Sequence, residues 1–219
     1  MGYYYITKID DLKEIGHYPQ TNLKKGYNPR KNGHFQVKSN EFPDFIPNLE
    51  LVIHSKAIPT DYLDHSSSGR MIISQRMKII IENHNIPRHH FYPIKVYHNN
   101  ILLNYYWLHF IVDDFWSFLD TQNSYAEHKT FLDSLKTKVI KKIPIICREQ
   151  IIKEDDEIPI SDILALGHVK MKKGFPKYDL YKIGCLSYNT LISESLRDSL
   201  ISEGMTGFET KLYDKFEIQ

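Results

Sequence analysis

The sequence predicts an α+β fold, a mixed and mainly antiparallel sheet on which a helix-then-strand unit packs twice. The main observation is a near-repeat whose two copies, IISQRMKIIIENHNIPR at 72–88 and LISESLRDSLISEGMTG at 191–207, start 119 positions apart. Runs rich in β-branched and aromatic residues, which favour strands, lie on either side of each copy. The composition, with 42% hydrophobic and 25% charged residues in 219, is that of a folded protein with one large or two small cores.

Each copy predicts a helix that begins at a serine. Ser74 and Ser193 stand where a side-chain oxygen accepts a hydrogen bond from an otherwise unsatisfied N–H of the first turn. Apolar residues then recur at three- and four-residue spacing, which predicts one buried stripe on each helix. The equivalent stripe positions are Met77 with Leu196 and Ile81 with Leu200.

The same alignment predicts how each helix ends. Gly204 stands where a left-handed residue stops the second helix, and Asn85, which also tolerates that conformation, stands at the equivalent place in the first. Phe91 and Phe208 then open strand-like segments, with two extra residues in the first copy. The repeated unit is therefore predicted to be a cap, a helix, a left-handed stop and a strand.

The rest of the chain predicts further elements of the same fold. We expect residues 1–58, a strand-and-loop region, to belong to one fold with an α+β domain at 59–219. Alternation of apolar and polar residues, β-rich runs, helical spacing and turn-forming residues predict the individual elements. These are a strand at 48–58, a β-hairpin turning at 98–100, a helix in 129–142 with Phe131, Leu132 and Leu135 on one side, and a strand at 143–152 before a charged turn.

Charge and termini point to a soluble cytoplasmic protein. The formal net charge is +1, so no overall field favours a polyanion or a membrane surface. The start MGYYYITKID does not have the pattern of a signal peptide, and no apolar run approaches the roughly 20 residues that span a bilayer. Cys147 and Cys185 are expected to be buried free thiols, because a reducing compartment disfavours a disulfide.

The titratable residues predict no metal site, no cofactor and no catalytic site. His84, His89 and His90 are the best metal candidates, but neighbouring histidines on a strand point to opposite sides of a sheet. Asp113 and Asp114 could supply an acid and a base, which leaves an enzyme as a third hypothesis. The aromatic residues around them fit a packed corner with the acids turned outward.

Two segments leave a nucleic-acid-binding module as the alternative function. Residues 18–31 and residues 168–182 interleave lysines or arginines with tyrosines, as grooves for single-stranded nucleic acid do. We prefer a solvated loop as the interpretation of the first segment, and a strand pair with lysines along its edge as the interpretation of the second.

Three stretches carry a resemblance to a known family. They are IISQRMKIIIE followed by FYPIKV, then YYWLHFIVDDFWSFLD, and finally YKIGCLSYNTLISESLRDSLISEGMTGFE. Together they resemble the immunity proteins of bacterial polymorphic toxin systems in the group numbered immunity family eleven, over residues 59–212. The matching positions are Asp61, Ser74, Tyr105, Tyr106, Asp120 and the run from Ile192 to Phe208, which includes Gly204 and Gly207.

The sequence departs from the family pattern mainly in its first copy. Gln75 replaces a usual glutamate, and Asn85 and Pro87 stand where glycines are usual. The resemblance implies a non-catalytic protein that binds and neutralises a cognate toxin encoded by a neighbouring gene. The near-neutral charge favours aromatic anchors over charge steering in that binding. The candidate pool for the toxin-binding surface is Trp107, Trp116, Asp113 and Asp114.

Overall fold

The structure, a computed structural model, describes residues 2–63, 71–132, 136–187 and 189–219. The strands in these ranges are β1 Tyr3–Lys8, β2 Thr21–Leu23, β3 Glu50–Ile53, β4 Tyr62–Leu63, β5 Met71–Ser74, β6 Arg88–His98, β7 Ile101–Ile111, β8 Tyr125–Phe131, β9 Thr137–Pro144, β10 Asp162–Met171, β11 Leu180–Lys182, β12 Thr190–Ser193, β13 Phe208–Leu212 and β14 Phe216–Ile218. The helices are α1 Leu12–Ile15, α2 Gln75–Glu82, α3 Phe115–Phe118, α4 Arg148–Glu157 and α5 Glu194–Ser202, with a 3₁₀ turn at His34–Gln36. Within these ranges no helix combines the length and apolar character needed to cross a bilayer.

Three sheets organise the strands and confirm the predicted α+β class with mainly antiparallel pairing. The largest has six strands in the order β2-β3-β6-β7-β5-β4, and two four-stranded sheets have the orders β11-β12-β1-β13 and β14-β10-β8-β9. Only β3 with β6 and β10 with β14 run parallel among the described strand pairs. Two of the three sheets are therefore mixed, and the sheet β11-β12-β1-β13 is wholly antiparallel.

The predicted hairpin is confirmed as the longest strand pair of the described chain. β6 and β7 each have eleven residues and pair from Arg88 with Ile111 to His98 with Ile101. The turn residues Asn99 and Asn100 have φ values of 49° and 65°. A two-residue hairpin turn of this hand needs positive φ at both central residues, which asparagine tolerates better than most residues do.

The N-terminal region contributes strands to two of the sheets. β1 lies between β12 and β13, where Tyr3 pairs with Ser193 and Lys8 pairs with Phe208. β2 and β3 extend the six-stranded sheet beyond β6. Residues 1–58 and residues 59–219 thus share two hydrogen-bonded sheets.

The repeated unit is larger in the structure than the repeat in the sequence. The strand order β4-β5-β7-β6 around α2 corresponds to β11-β12-β1-β13 around α5. Ser74 pairs with Tyr105 on β7, and Ser193 pairs with Tyr3 on β1. In the first unit the central strand β7 follows the helix α2 in the chain. In the second unit the central strand β1 precedes the helix α5 by most of the chain.

The predicted helix starts and buried stripes are confirmed. The Ser74 hydroxyl accepts a hydrogen bond from the Met77 N–H at 3.2 Å, and the Ser193 hydroxyl accepts one from the Leu196 N–H at 3.1 Å. The stripe residues of both helices are fully buried in one shared core cluster, with additional members from β1, β5, β7, β11 and β12. The four stripe residues are Met77, Ile81, Leu196 and Leu200.

The predicted helix end is confirmed in the second unit and wrong in the first. Gly204 has a φ of 65°, whereas Asn85 is not among the residues with positive φ. Asn85 instead binds the other unit, because its N–H donates to the Asp179 carboxylate at 2.9 Å and its side-chain amide donates to the Pro176 carbonyl at 2.7 Å. These two bonds hold its backbone away from the left-handed conformation.

The predicted equivalence of Phe91 and Phe208 is also wrong. Phe91 pairs with Leu108, and the residue that pairs with the equivalent Ile6 is Thr210. Thr210 lies 119 positions after Phe91, so no residues are inserted between helix and strand in the first unit. The prediction aligned Phe91 with Phe208 because both are phenylalanine. Residue type is a weak guide here, since aromatic residues are common at many positions of a strand.

Two elements between residues 129 and 157 differ from prediction. Residues 129–131 and 137–142 lie in the β8 and β9 strands, where the sequence predicted a helix. The expected buried stripe does not form, because Phe131 and Leu132 are exposed, and Leu135 lies outside the described residues. Conversely, residues 148–157 form α4 where a strand and a charged turn were predicted, since glutamate and lysine favour a helix and Ile151 alone needs burial.

Candidate functional site

The residues that carry the family resemblance in the first unit come together at the start of α2. The Asp61 carboxylate accepts a hydrogen bond from the Ser74 hydroxyl at 2.6 Å. Its second oxygen accepts two more bonds, at 3.1 Å each, from the N–H and the hydroxyl of Thr206 in the other unit. The Tyr105 hydroxyl donates to the carbonyl of Thr60 at 2.6 Å, which fixes the residue before Asp61.

The second unit has an equivalent arrangement, formed by Asp179, Ser193 and Tyr3. The Asp179 carboxylate accepts from the Ser193 hydroxyl at 2.5 Å and from the Asn85 N–H of the first unit at 2.9 Å. The Tyr3 hydroxyl donates to the carbonyl of Tyr178 at 2.7 Å, as Tyr105 does to Thr60. Each aspartate therefore joins its own helix start to the corner that follows the helix of the other unit.

Tyr106 and Asp120 complete the motif, and both are engaged within the fold. The Lys78 ammonium lies 5.1 Å from the centre of the Tyr106 ring. The Asp120 carboxylate accepts hydrogen bonds from Asn123 and from the Gln122 N–H, and the Asn123 side chain contributes most to holding the pKa of Asp120 below its usual range. The contacts of these motif residues therefore help to hold the fold together.

A cleft of about 940 Å³ lies on the described chain beside the end of β7 and the helix α4. It brings together three of the four residues in the sequence-based pool, Trp107, Asp113 and Trp116. Its remaining lining comes from residues 108–112, from the loop at 37–40, from α4 and from residues 182–187. Sequence periodicity did not place the loop at 37–40 or α4 in this cleft, because their neighbours there are distant in the chain.

The aromatic residues of the cleft differ in their exposure. Trp107 is 3% exposed and stacks against His109 with ring centres 6.0 Å apart. Trp116 is half-buried and packs edge-on against the Phe115 ring at 5.0 Å. Trp116 therefore offers more surface to a partner than Trp107, which is held in the core beneath.

The two neighbouring aspartates of the pool point to different surroundings. The Asp113 carboxylate forms an exposed ion pair with the Arg88 guanidinium at 2.6 Å, at the edge of the cleft. The Asp114 carboxylate turns away and accepts a hydrogen bond from the Tyr178 hydroxyl at 3.1 Å. Because of this divergence the structure does not assemble them as a paired acid and base.

The histidines of the 84–90 segment are likewise separated by their contacts. His84 lies within hydrogen-bonding distance of the Ile80 carbonyl and the Ser199 hydroxyl, while His89 contacts the Pro87 carbonyl at 2.8 Å. The described residues contain no group of three or more histidine, cysteine or carboxylate side chains arranged to hold a metal ion.

The aromatic residues in the two segments of the nucleic-acid alternative differ in their exposure. In residues 168–182, Phe175 is 3% exposed and Tyr181 is fully buried, packed ring against ring at 5.0 Å. In residues 18–31, the Lys24 ammonium pairs with Glu50 at 3.2 Å. Aromatic rings that bind bases must be accessible, so the buried rings of residues 168–182 do not favour the alternative, whereas Tyr18 in the first segment is 53% exposed.

A sequence model described as Immunity protein family (Imm11) matches residues 4–213 of the chain. The chain belongs to the Imm11 immunity protein family. The role of this family is toxin neutralisation. No curated protein matches the chain.

The Imm11 match extends the resemblance from the expected residues 59–212 to residues 4–213. The match starts at residue 4, the second residue of β1. β1 is the central strand of the second unit and carries Tyr3 and Tyr4, whose places β7 fills in the first unit with Tyr105 and Tyr106. The N-terminal strand is therefore part of the family match as well as of the second unit's sheet.

Proposed function

We propose that this Imm11 protein binds one cognate toxin, encoded by a neighbouring gene, and neutralises it in the cytoplasm. The observation that carries the proposal is the family match over residues 4–213. The cleft beside Trp116 and Asp113 supports it, because an open, largely apolar recess with a charged edge suits a protruding side chain of a protein partner.

In this proposal the protein acts by binding alone, without catalysis, metal or cofactor. A protector that binds must remain on its toxin through many turnover times, which calls for an affinity of about nanomolar or better. Such affinity is reached by interfaces of about 1,600 Å², much larger than the cleft opening. The toxin is therefore expected to cover the cleft and the surface around it.

The test is co-expression of the neighbouring toxin, with and without this protein, in a sensitive strain. Survival only when both are made supports the proposal, and equal killing with both proteins confirmed present contradicts it. A titration with purified proteins then separates binding from catalysis. Inhibition that is complete at a ratio of about one to one indicates binding, whereas inhibition at a small fraction of that ratio indicates an enzyme that modifies the toxin.

A further inference from the structure

β9 is an exposed strand at the edge of its sheet. The order β14-β10-β8-β9 leaves one side of β9 without a described neighbouring strand. Of its eight residues only Ile143 is buried, and both Val139 and Ile140 are more than two-fifths exposed. Edge strands of this kind present backbone groups that another extended chain can pair with.

The pairing with β8 shows which backbone groups of β9 point outward. Leu132 donates its N–H to the Lys136 carbonyl at 2.9 Å, and Ile145 donates to the Ser124 carbonyl at 3.2 Å. In an antiparallel pair, hydrogen-bonded positions alternate with positions whose N–H and C=O face away. Alternation from the hydrogen-bonded position of Lys136 makes Val139 outward-facing, and alternation from that of Ile145 makes Lys142 outward-facing.

A strong local charge distinguishes this edge. From Lys136 to Arg148, both included, the sequence has five basic residues and no acidic residue. Lys138 and Lys141 are exposed and form no ion pair with any residue that the structure describes. The carboxylates of the adjoining strands are already engaged.

Those neighbouring carboxylates have their own partners within the sheet. Glu127 pairs with Lys129 at 2.8 Å, and Asp162 pairs with His128 at 2.6 Å. The lysines of β9 are therefore not neutralised from β8 or β10. They also oppose pairing of β9 with a second copy of itself, because like charges would then face each other across the new strand pair.

We infer that β9 is a docking edge for the toxin, and that it takes an acidic, extended segment of the toxin as an added strand. The inference rests on the proposed function. The outward N–H and C=O groups of Val139 and Lys142 supply the backbone hydrogen bonds, while Lys138 and Lys141 select carboxylates at adjacent positions of the incoming strand. Selection by charge excludes neutral or basic strands.

Isothermal titration calorimetry with the purified, catalytically inactive domain of the neighbouring toxin tests the inference. Val139→Pro removes an outward N–H without removing a bond to β8, and should weaken binding about tenfold or more. Val139→Thr keeps that N–H and serves as the matched control, with affinity close to that of the original protein. Circular dichroism checks that both variants are folded.

A charge-reversed variant tests the second half of the inference independently of proline. Lys138→Glu with Lys141→Glu should weaken binding about tenfold or more at low salt and by less at high salt. Lys25→Glu with Lys173→Glu makes the same charge change at exposed positions away from β9 and should bind as the original protein does.

The outcomes separate this inference from the proposed function. If the original protein binds the toxin domain and both β9 variants bind equally well, the docking edge is overturned and toxin binding stands. If the original protein does not bind the toxin domain, both fail. If the original protein self-associates and Val139→Pro does not, a second copy of the chain is the occupant of β9 and the acidic strand is overturned. Competition for β9 by a single-stranded oligonucleotide would likewise overturn the acidic strand as the occupant.

Discussion

Asp61 and Asp179 occupy equivalent positions in the two units, and each carboxylate joins the helix start of its own unit to the corner of the other. Asp61 accepts from Ser74 and Thr206, and Asp179 accepts from Ser193 and Asn85. A carboxylate with several donors is held more firmly than one with a single donor, because each charge-assisted bond compensates part of its lost hydration. The two units therefore stabilise each other through polar bonds as well as through their shared core.

The first prediction concerns the free energy of unfolding when these carboxylates are removed. Asp61→Ala should lower it by about 2–4 kcal/mol, because three hydrogen bonds are lost and the Thr206 N–H is left without its partner. Asp179→Ala should cost somewhat less, since its carboxylate accepts from fewer groups. Urea denaturation measures both values.

The control for this prediction is Asp198→Ala on α5. Its side chain is 63% exposed and, among the residues that the structure describes, forms its ion pair with the adjacent Arg197, so its removal should change stability by less than about 0.5 kcal/mol. If Asp61→Ala is as stable as this control, the carboxylate does not couple the units.

The repeated unit shows how far local sequence signals extend. Ser74, Ser193 and the buried stripes were predictable because a cap and a helical period involve residues within a few positions of each other. The bonds from Asp61 to Thr206 and from Asp179 to Asn85 were not, since they span 145 and 94 positions. Asn85 was misjudged for the same reason, because a distant aspartate sets its backbone conformation.

The second prediction compares two glycines that both have positive φ. Gly204→Ala should cost about 1 kcal/mol, because its φ of 65° is unfavourable for a side chain but the space around it is open. Gly207→Ala should cost clearly more, since its φ is 89° and the added carbon would also overlap the Tyr62 carbonyl oxygen and the Thr60 side chain. Thermal unfolding of the two variants measures the difference.

Gly26→Ala is the matched reference for the conformational part alone. It has a φ of 84° with no atom within 4 Å of an added carbon, so it should resemble Gly204→Ala. Equal costs for all three glycines would show that the close packing of Gly207 against residues 60–62 is not maintained in solution.

The cleft illustrates what sequence patterns could not provide. Its walls come from residues 37–40, 107–116, α4 and 182–187, which are brought together only by the sheet order. The helix α4 was itself predicted as a strand and a turn, so one wall was absent from the expected architecture. The pool of Trp107, Trp116, Asp113 and Asp114 rested on residue type, and all of its members except Asp114 line one side of the cleft.

The third prediction concerns the thiol of Cys185, which is part of the cleft lining. Both cysteines are free and partly exposed, so the prediction of free thiols is confirmed while that of full burial is wrong. Burial raises the pKa of the Cys185 thiol to about 12. At pH 8 its thiolate fraction is then about a thousandfold below that of a free cysteine, so alkylation should be slow in the folded protein.

Mass spectrometry of peptides after timed treatment with iodoacetamide measures this reactivity. We expect Cys185 to be labelled roughly a hundredfold more slowly in the folded protein than in urea. A Cys147→Ser variant isolates the signal of Cys185. Equal labelling rates in the folded and unfolded protein would show that the thiol faces solvent instead of the interior of the cleft wall.

The last prediction concerns stability in acid and the pair that joins β8 to β10 beside the proposed docking edge. The Asp162 side chain is 7% exposed and lies 2.6 Å from the His128 ring nitrogen. Hydrogen bonding from His128, followed by that from Thr130, holds the pKa of Asp162 below its usual range. A carboxyl with a lowered pKa in the folded state stabilises the protein at pH values above its unfolded pKa of about 3.9. That contribution is lost as the pH falls through the folded pKa of Asp162, so the decline in stability lies below about pH 4.

Asp162→Asn should therefore be less stable than the original protein at pH 6 and should lose less stability between pH 5 and pH 3. Urea denaturation across this range measures both slopes, and Asp198→Asn accounts for the removal of an exposed carboxylate. Parallel slopes for the original protein and Asp162→Asn would show that the pair with His128 does not contribute to acid sensitivity.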